Sequence, residues 1–318
     1  MLPGASTLFY KNDPLTPAIL QELRDAGMEC VELADYHPNW SYLKVAWLRQ
    51  LRSDLADCGL SVNSVHTHIA WYDPELLLSH VDSARRERAV EAHLRAVDAL
   101  AMIDCPILLT HDIVIPTAAE AGEEEHHRRR ALFVEALGRV ADYAATAGIQ
   151  VAIENTTRGY AADTHVLRGI IADAGRDNIG IVVDTGHANL FPPADAHIRA
   201  AGKRLITLQI DDSSDHANQH ILPGRGTTDW AALMRALVEV DYAVLRLRAE
   251  LPRGHPRAGR ELPLADEPCP AARRNRVALS PPRAPCPPPL PMRPCPRAGR
   301  GGTVGAFFTV KAAEHGGR

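Results

Sequence analysis

Asp184 and His187 follow an apolar run that begins at Ile179, in the sequence IGIVVDTGHAN. A strand buried on both faces has such a run, and here it ends in polar side chains. The two residues are three positions apart across Gly186, so a turn can bring a carboxylate and an imidazole to one point, as a divalent metal site requires. A plain turn or a helix cap explains the same residues. The spacing alone leaves both interpretations open.

Polar side chains also stand at the ends of other runs that are typical of strands. They are Glu32, His66, His68, His111, Glu154, Gln209, Asp211 and Asp212. His66 and His68 are two positions apart and therefore face the same side of a strand. A single buried histidine is more often a hydrogen-bonded core residue. That explanation would have to apply independently to the polar residues of every one of these strands. The coincidence favours one metal-binding pocket that these strand ends share.

Strand-like runs alternate with amphipathic helices along the first 250 residues. The candidate strands cover residues 6–10, 29–33, 61–68, 106–111, 150–155, 179–184, 205–211 and 242 to about 250. Apolar residues recur with helical spacing between them. They are Leu43, Trp47, Leu51 and Leu55; Val90, Leu94, Val97 and Ala101; Phe133, Leu137, Val140 and Ala144; and Trp230, Leu233 and Leu237. Eight strand–helix units predict a (β/α)₈ barrel, whose catalytic groups lie at the carboxyl ends of the strands. A doubly wound sheet is the alternative, but no GxGxxG follows the first strand.

Composition restricts the class of protein. Of the 318 residues, 46% are hydrophobic, which suffices for a large core. The N-terminus lacks the basic and apolar regions of a signal peptide, and no apolar run is long enough to span a membrane. We therefore expect a cytoplasmic protein without a membrane partner. The six cysteines form no CxxC pair, so they predict core or incidental thiols.

The chain divides into a barrel at residues 1–250 and a low-complexity tail rich in Pro and Arg at residues 251–318. The tail carries 12 Lys and Arg against 4 Asp and Glu, which leaves 23 against 35 in the barrel. The acidic barrel argues against a nucleic-acid partner. Arg246 and Arg248 alternate with leucines, which suits a barrel strand poorly, so the last strand and helix are doubtful. A frameshift near residues 243–246 is our hypothesis, and a genuine disordered extension is the alternative.

Three segments resemble the xylose isomerase-like barrels, which comprise sugar phosphate isomerases and epimerases and apurinic endonucleases of the deoxyribonuclease IV type. They are VAIENT (151–156), VVDTGHAN (182–189) and LQIDDSSDHANQHILPGRGTTDW (208–230). The resemblance implies one divalent ion bound by four residues, which here are Glu154, Asp184, Gln209 and, if it belongs to the barrel, Glu250. Gln209 departs from the usual His, and its amide oxygen favours Mn²⁺ or Mg²⁺ over Co²⁺ or Zn²⁺.

The resemblance also implies a metal-dependent isomerase or epimerase acting on a small sugar or sugar phosphate through an enediolate. Glu154 and Glu250 would exchange protons with the substrate carbon, and His187 would orient a substrate oxygen. The residues expected to line the substrate pocket are His66, His68, His111, His187, His220 and Arg225. In the loop LPGRG, Gly224 and Gly226 would let backbone amides approach a substrate anion beside Arg225. A plain turn with a solvated arginine explains the same residues. A homo-oligomer is compatible with the sequence.

Three alternatives remain open. A dehydratase of the same superfamily would use the same enediolate and expel a hydroxyl group. An apurinic endonuclease would use several zinc ions, and its pattern is matched by His66, His111, Glu154, Asp184, His187 and His220. Gln209 and Asn218 depart from that pattern. The third alternative is an inactive barrel with a damaged C-terminal region, in which Glu250 is a chance resemblance.

Overall fold

A computed structural model of the chain describes residues 3–110, 115–190, 193–214 and 218–242, and the backbone of 307–310. Within these residues, parallel strands form a closed barrel in which each strand pairs with the next and the eighth pairs with the first. The strands are β1 (Gly4–Ser6), β2 (Cys30–Ala34), β3 (Ser61–Thr67), β4 (Ile107–Thr110), β5 (Gln150–Glu154), β6 (Ile179–Asp184), β7 (Leu205–Ile210) and β8 (Phe307–Val310). The predicted (β/α)₈ architecture is confirmed.

Helices follow the strands on the outside of the barrel. They are α1 (Pro17–Asp25), α2 (Val45–Asp57), α3 (Ile69–Tyr72), α4 (Ser83–Met102), α5 (Ala118–Ala121), α6 (Glu123–Thr146), α7 (Thr164–Ala174), α8 (Thr185–Ala188), α9 (Ala194–Ala201) and α10 (Trp230–Glu239). Aspartates cap several of them. Asp82, Asp163 and Asp229 each accept a hydrogen bond from a backbone N–H in the first turn of α4, α7 and α10.

The first strand lies earlier than the sequence predicted, because Ser6 is the only residue of the predicted strand at residues 6–10 that belongs to it. It ends at Ser6, whose side chain accepts a hydrogen bond from Leu8 N at 3.3 Å and caps a 3₁₀ turn over Thr7–Tyr10. The apolar residues of this turn were read as the continuation of the strand. Because a strand and a short buried turn can have the same composition, the sequence does not distinguish them.

The eighth strand comes from the segment that we expected to form a disordered tail. Phe307–Val310 pairs in parallel with β7 and with β1 and closes the barrel. Its aromatic and β-branched residues suit a strand, in contrast to the Pro-rich sequence before it. The expected disorder therefore does not extend to these four residues. Residues 243–250 of the candidate strand, and the site of the hypothesised frameshift, lie outside the described part of the chain.

The apolar core has two parts, one inside the barrel and one between the strands and the helices. A small cluster contains Ile107, Leu109, Ala152 and Val182. Ile153 and Val183 directly follow Ala152 and Val182 in sequence, and they belong to the larger cluster that contacts the helices. Because successive strand residues face opposite sides, the residues two positions beyond Ala152 and Val182 also face the barrel axis.

The helical faces agree with the predicted spacing in most positions. In α6, Phe133, Leu137, Val140 and Ala144 are all buried. Leu43 is an exception, because it precedes α2 and is 70% exposed, whereas Leu48, Leu51 and Leu55 form the buried face of that helix. The helical period was correct, but the helix begins two positions later than the pattern suggested.

None of the helices in the described ranges has the length and apolar composition that a membrane-spanning helix requires. The cysteines of the described ranges, Cys30, Cys58 and Cys105, are free thiols, and Cys30 and Cys105 are buried in the core. Burial raises the pKa of each of these two thiols to about 12. Both therefore remain protonated at neutral pH, as expected for core residues.

Candidate active site

Glu154, Asp184 and Gln209 occupy neighbouring strands at the same mouth of the barrel. Glu154 ends β5, Asp184 ends β6, and Gln209 pairs in register with Asp184 from β7. The side chains of Glu154 and Asp184 share the inner face with Ala152 and Val182, and all three residues are buried. The fold therefore directs two carboxylates and an amide into the same end of the barrel.

Two histidines connect these groups. His66 Nε2 lies 3.2 Å from Glu154 Oε2, and His66 Nδ1 lies 3.2 Å from Gln209 Nε2. His187 Nδ1 lies 3.3 Å from Glu154 Oε1 and 3.8 Å from Asp184 Oδ2. Contacts through two imidazoles thus join all three of the predicted ligands that lie in the described residues.

Asp184 is both a helix cap and a proposed metal ligand, the two roles that the sequence left open. Its Oδ1 accepts a hydrogen bond from His187 N at 2.9 Å and caps α8. Its backbone exchanges two hydrogen bonds with the side chain of Asn155, and His187 Nδ1 contacts Asn155 O at 2.9 Å. Because a carbonyl oxygen only accepts hydrogen bonds, Nδ1 of His187 carries a proton, and in a neutral ring Nε2 carries the lone pair. Asn155 positions both residues, although only the motif around it was noted from the sequence.

Glu32 is the central residue to which sequence reasoning gave no role. It was recognised only as a polar residue near the end of a strand. In the structure it is buried, Gln209 Nε2 lies 3.0 Å from each of its carboxylate oxygens, and Ser64 Oγ donates to Oε2 at 3.1 Å. The two partners come from positions far apart in sequence, and no local pattern indicates such a pair.

The described residues fit a divalent ion. Gln209 Oε1 is buried, and no hydrogen-bond donor of the described chain contacts it. A buried amide oxygen without a donor costs free energy, which a cation beside it would offset. Together with the carboxylates of Glu154 and Asp184 it makes a set of oxygen donors, which suits hard ions such as Mg²⁺ and Mn²⁺.

A second group of ligand atoms lies at the edge of the same pocket. Asp184, His187 and His220 each offer one atom, and the three atoms lie within 4.8 Å of one another. His220 has a positive φ of 45° and its Nδ1 contacts Asp211 Oδ2 at 2.5 Å. This group includes two nitrogens, so its chemistry suits zinc better than the oxygen set does.

His68 lies beside His66 at the mouth, with its ring centroid 4.2 Å away, and Tyr36 covers it on another side at 4.0 Å. Its Nδ1 contacts Asp35 Oδ1 at 2.8 Å, and Tyr42 OH donates to Asp35 Oδ2 at 2.9 Å. Burial, followed by the charge of Asp35, raises the pKa of Tyr42 well above its ordinary value. Asp35 thus orients a predicted pocket residue, and sequence reasoning missed it.

The loop after β7 is organised by Asp212. The carboxylate of Asp212 accepts hydrogen bonds from Gly224 N at 3.0 Å and Gly226 N at 2.9 Å. These are the amides that we expected to approach a substrate anion, and that expectation was wrong because an internal carboxylate already binds them. Arg225 is exposed between them, and its guanidinium makes no hydrogen bond or ion pair with the described residues.

Two predicted site residues cannot be assessed in the structure. His111 and Glu250 lie outside the described ranges. Of the other predicted residues, the structure brings Glu154, Asp184, Gln209, His66 and His187 into one connected cluster. His68 and His220 flank this cluster, and Arg225 lies on an exposed loop.

Comparison with known proteins agrees with the barrel. Residues 20–268 match the model of a family described as xylose isomerase-like TIM barrel. A curated protein named y4fM, from Sinorhizobium fredii, is 25% identical over 248 residues, which cover 70% of this chain and 77% of the relative.

Two solved structures illustrate the likeness of fold. A D-psicose 3-epimerase determined in the presence of D-fructose has a TM-score of 0.63 and 21% identity, and the match covers 76% of this chain and 82% of the epimerase. A protein named IOLI with a bound zinc atom has a TM-score of 0.62 and 18% identity, covering 76% of this chain and 85% of the other. At such identities the likeness concerns the fold.

Proposed function

The chain belongs to the xylose isomerase-like TIM barrel family, and we propose that it is a metal-dependent isomerase or epimerase of a small sugar or sugar phosphate. The observation that carries the proposal is the buried oxygen of Gln209, which no donor of the described chain contacts, on the strand that pairs with Asp184. The D-psicose 3-epimerase among the similar folds supports the reaction class.

The residues that would bind the ion are Glu154, Asp184 and Gln209, with Glu250 as the fourth predicted ligand outside the described ranges. A divalent ion bound there would polarise a substrate carbonyl and stabilise the enediolate that forms when a proton leaves the neighbouring carbon. We favour Mn²⁺ or Mg²⁺ because the donor atoms are oxygens, with Co²⁺ and Zn²⁺ as alternatives.

Glu154 is the proposed proton acceptor. His66 Nε2 and His187 Nδ1 lie 3.2 and 3.3 Å from its two oxygens, so an imidazole lies next to each oxygen of the carboxylate. Glu250 would act from the other face of the substrate, and exchange between two carboxylates on opposite faces inverts the carbon. His187 would direct its unprotonated Nε2 toward a substrate hydroxyl, while His68 and His220 would line the pocket with His111.

Arg225 is the proposed contact for a substrate phosphate or carboxylate. Its exposed guanidinium has no partner among the described residues, and Asp212 fixes the loop on both sides of it. Arg225→Ala is therefore expected to raise KM for phosphorylated ketoses and to leave KM for the free sugars nearly unchanged. If Arg225→Ala changed KM equally for phosphorylated ketoses and for free sugars, Arg225 would not be a contact for the substrate phosphate.

Solvent exchange tests the reaction directly. The full chain is incubated with Mn²⁺ and a panel of free and phosphorylated ketoses in deuterated water, and deuterium at carbon is measured by NMR. We expect deuterium incorporation with epimerisation in the wild type, and loss of both in Glu154→Gln. Glu124→Gln, at an exposed carboxylate of α6, is the matched control and should retain activity.

The other outcomes separate the alternatives. Exchange accompanied by loss of water indicates a dehydratase. Bound Mn²⁺ without exchange on any substrate indicates an inactive barrel. The group formed by Asp184, His187 and His220 favours the endonuclease as a second candidate, although the acidic barrel repels DNA. Zinc-dependent cleavage of abasic DNA without exchange on sugars would replace our proposal by that function.

A further inference from the structure

Glu32 lies inside the barrel on β2 and belongs neither to the proposed metal ligands nor to the proposed substrate contacts. Gln209 Nε2 lies 3.0 Å from both of its carboxylate oxygens. We propose that Glu32 is a positioning residue, which fixes the orientation of the Gln209 amide and, through that amide, the tautomer of His66. The inference rests on the proposed function for the role of Gln209 as a metal ligand.

The carboxylate selects one orientation of the amide. Nε2 of glutamine only donates hydrogen bonds and Oε1 only accepts them, whereas an ionised carboxylate only accepts. A half-turn of the amide would place Oε1 against both oxygens of Glu32 and bring lone pairs together. The hydrogen bond from Nε2 to a charged acceptor is also stronger than a neutral one. Oε1 of Gln209 therefore faces away from Glu32, where no donor of the described chain contacts it.

The same amide determines which nitrogen of His66 carries the proton. The other N–H of Nε2 is directed at His66 Nδ1, 3.2 Å away. A donor facing Nδ1 requires a lone pair there, so the proton of a neutral ring is on Nε2. That nitrogen lies 3.2 Å from Glu154 Oε2, so the proton of a neutral ring is on the side of the Glu154 carboxylate.

The opposite tautomer is unfavourable on both sides of the ring. A proton on Nδ1 would face the N–H of Gln209, and the nearest oxygen of Glu32 is 3.9 Å away, beyond hydrogen-bond distance. The lone pair on Nε2 would then point at the carboxylate of Glu154. Glu32 thus sets the orientation of a proposed ligand oxygen on one strand and the tautomer of the histidine beside a carboxylate on another, without itself being one of the proposed ligands.

Glu32→Gln tests the inference with little change in volume. A glutamine at position 32 can donate and accept, so both orientations of the Gln209 amide can pair with it. The ring nitrogens of His66 are observed by ¹⁵N NMR in the metal-free full chain, and their signals are assigned by their absence from His66→Asn. Ser64→Ala is the matched control, because it removes the hydrogen bond from Ser64 Oγ to Glu32 and leaves the Gln209 contact in place.

We expect the wild type and Ser64→Ala to show the proton of His66 on Nε2, and Glu32→Gln to show a mixture of tautomers. Mn²⁺ affinity, measured by calorimetry, should weaken about 10- to 100-fold in Glu32→Gln. A wild type with the proton on Nδ1 overturns the inference, and this result does not depend on whether Glu32→Gln folds. A wild-type pattern in Glu32→Gln also overturns it.

The metal-free spectra separate this inference from the proposed function. If the wild type binds no Mn²⁺ while the tautomers behave as expected, the proposed function fails and the positioning of His66 by Glu32 stands. If Mn²⁺ binds with unchanged affinity in Glu32→Gln and the tautomer is unchanged, the proposed function stands and the role of Glu32 is wrong.

Discussion

A methyl group on Gly186 would stand 2.1 Å from Asp211 Oδ1 and 3.0 Å from its Cγ. Glycine at this position lets α8 pack directly against the Asp211 carboxylate. Helix α8 carries His187, and Asp211 contacts His220. The contact between Gly186 and Asp211 therefore sets the distance between the two imidazoles, whose ring centroids are 5.1 Å apart.

Gly186→Ala is expected to destabilise the protein by about 1–3 kcal/mol, because the added methyl group must displace a buried carboxylate or the helix. Urea denaturation measures the loss. Gly138→Ala in α6 is the matched control, since its nearest neighbour would be the flexible Arg176 side chain at 3.7 Å. There alanine should stabilise the helix by roughly 0.5–1 kcal/mol. Unchanged stability of Gly186→Ala would mean that the close contact relaxes without cost.

Asp212→Ala is expected to cost about 3 kcal/mol of unfolding free energy, because six hydrogen-bond donors, three of them in buried contacts, lose a carboxylate acceptor. The donors are Ser213 N, Gly224 N, Gly226 N, Thr228 N, Thr228 Oγ1 and Trp230 Nε1. Asp229→Ala is the comparison in the same loop, because Asp229 accepts from the single amide of Ala232 and caps α10. Its loss should cost about 1 kcal/mol. Equal losses in chemical denaturation would contradict the organising role of Asp212.

Tyr42→Phe is expected to change how stability depends on pH above 10. Burial and the charge of Asp35 raise the pKa of Tyr42 well above its ordinary value of 10.0. Above that pH the unfolded chain loses the phenolic proton and the folded protein keeps it, so unfolding releases a proton and stability falls as pH rises. The decline attributable to this group is at most about 1.4 kcal/mol per pH unit.

Denaturation of wild type and Tyr42→Phe between pH 8 and 11.5 measures this effect. The variant should be less stable at pH 8 by about 1 kcal/mol, because Asp35 loses a hydrogen bond. The difference should shrink as the pH rises above 10. A constant difference over the whole range would show that Tyr42 ionises equally in the folded and unfolded chains.

Removal of metal should lower the melting temperature if the proposed site binds an ion. An ion that binds only the folded protein stabilises it by about 2.7 kcal/mol at a free concentration 100 times Kd. Chelation by EDTA should therefore lower Tm, and Mn²⁺ should restore it. Gln209→Leu, which lacks the ligand oxygen, should lose most of this shift, whereas Glu124→Gln should retain it. A Tm that is independent of Mn²⁺ in the wild type contradicts the metal site.

The alternation of strands and helices was readable from the sequence, because periodicity is a property of consecutive residues. β6 was predicted with its observed bounds, and all four residues predicted for the inner face of α6 are buried. Parallel strands place their carboxyl ends at one mouth, so the position of Glu154, Asp184 and Gln209 at that mouth followed from the same reasoning. Their binding of one cation stays a prediction.

The partners of these side chains were decided only by tertiary structure. Glu32 and Gln209 are 177 positions apart and meet because the barrel closes with a particular register. The amides of Gly224 and Gly226 are directed at Asp212 for the same reason. β8 was supplied by Phe307–Val310, far from the run that begins at Tyr242. Local sequence encodes which way a strand residue faces, but which group it faces depends on the closure of the whole sheet.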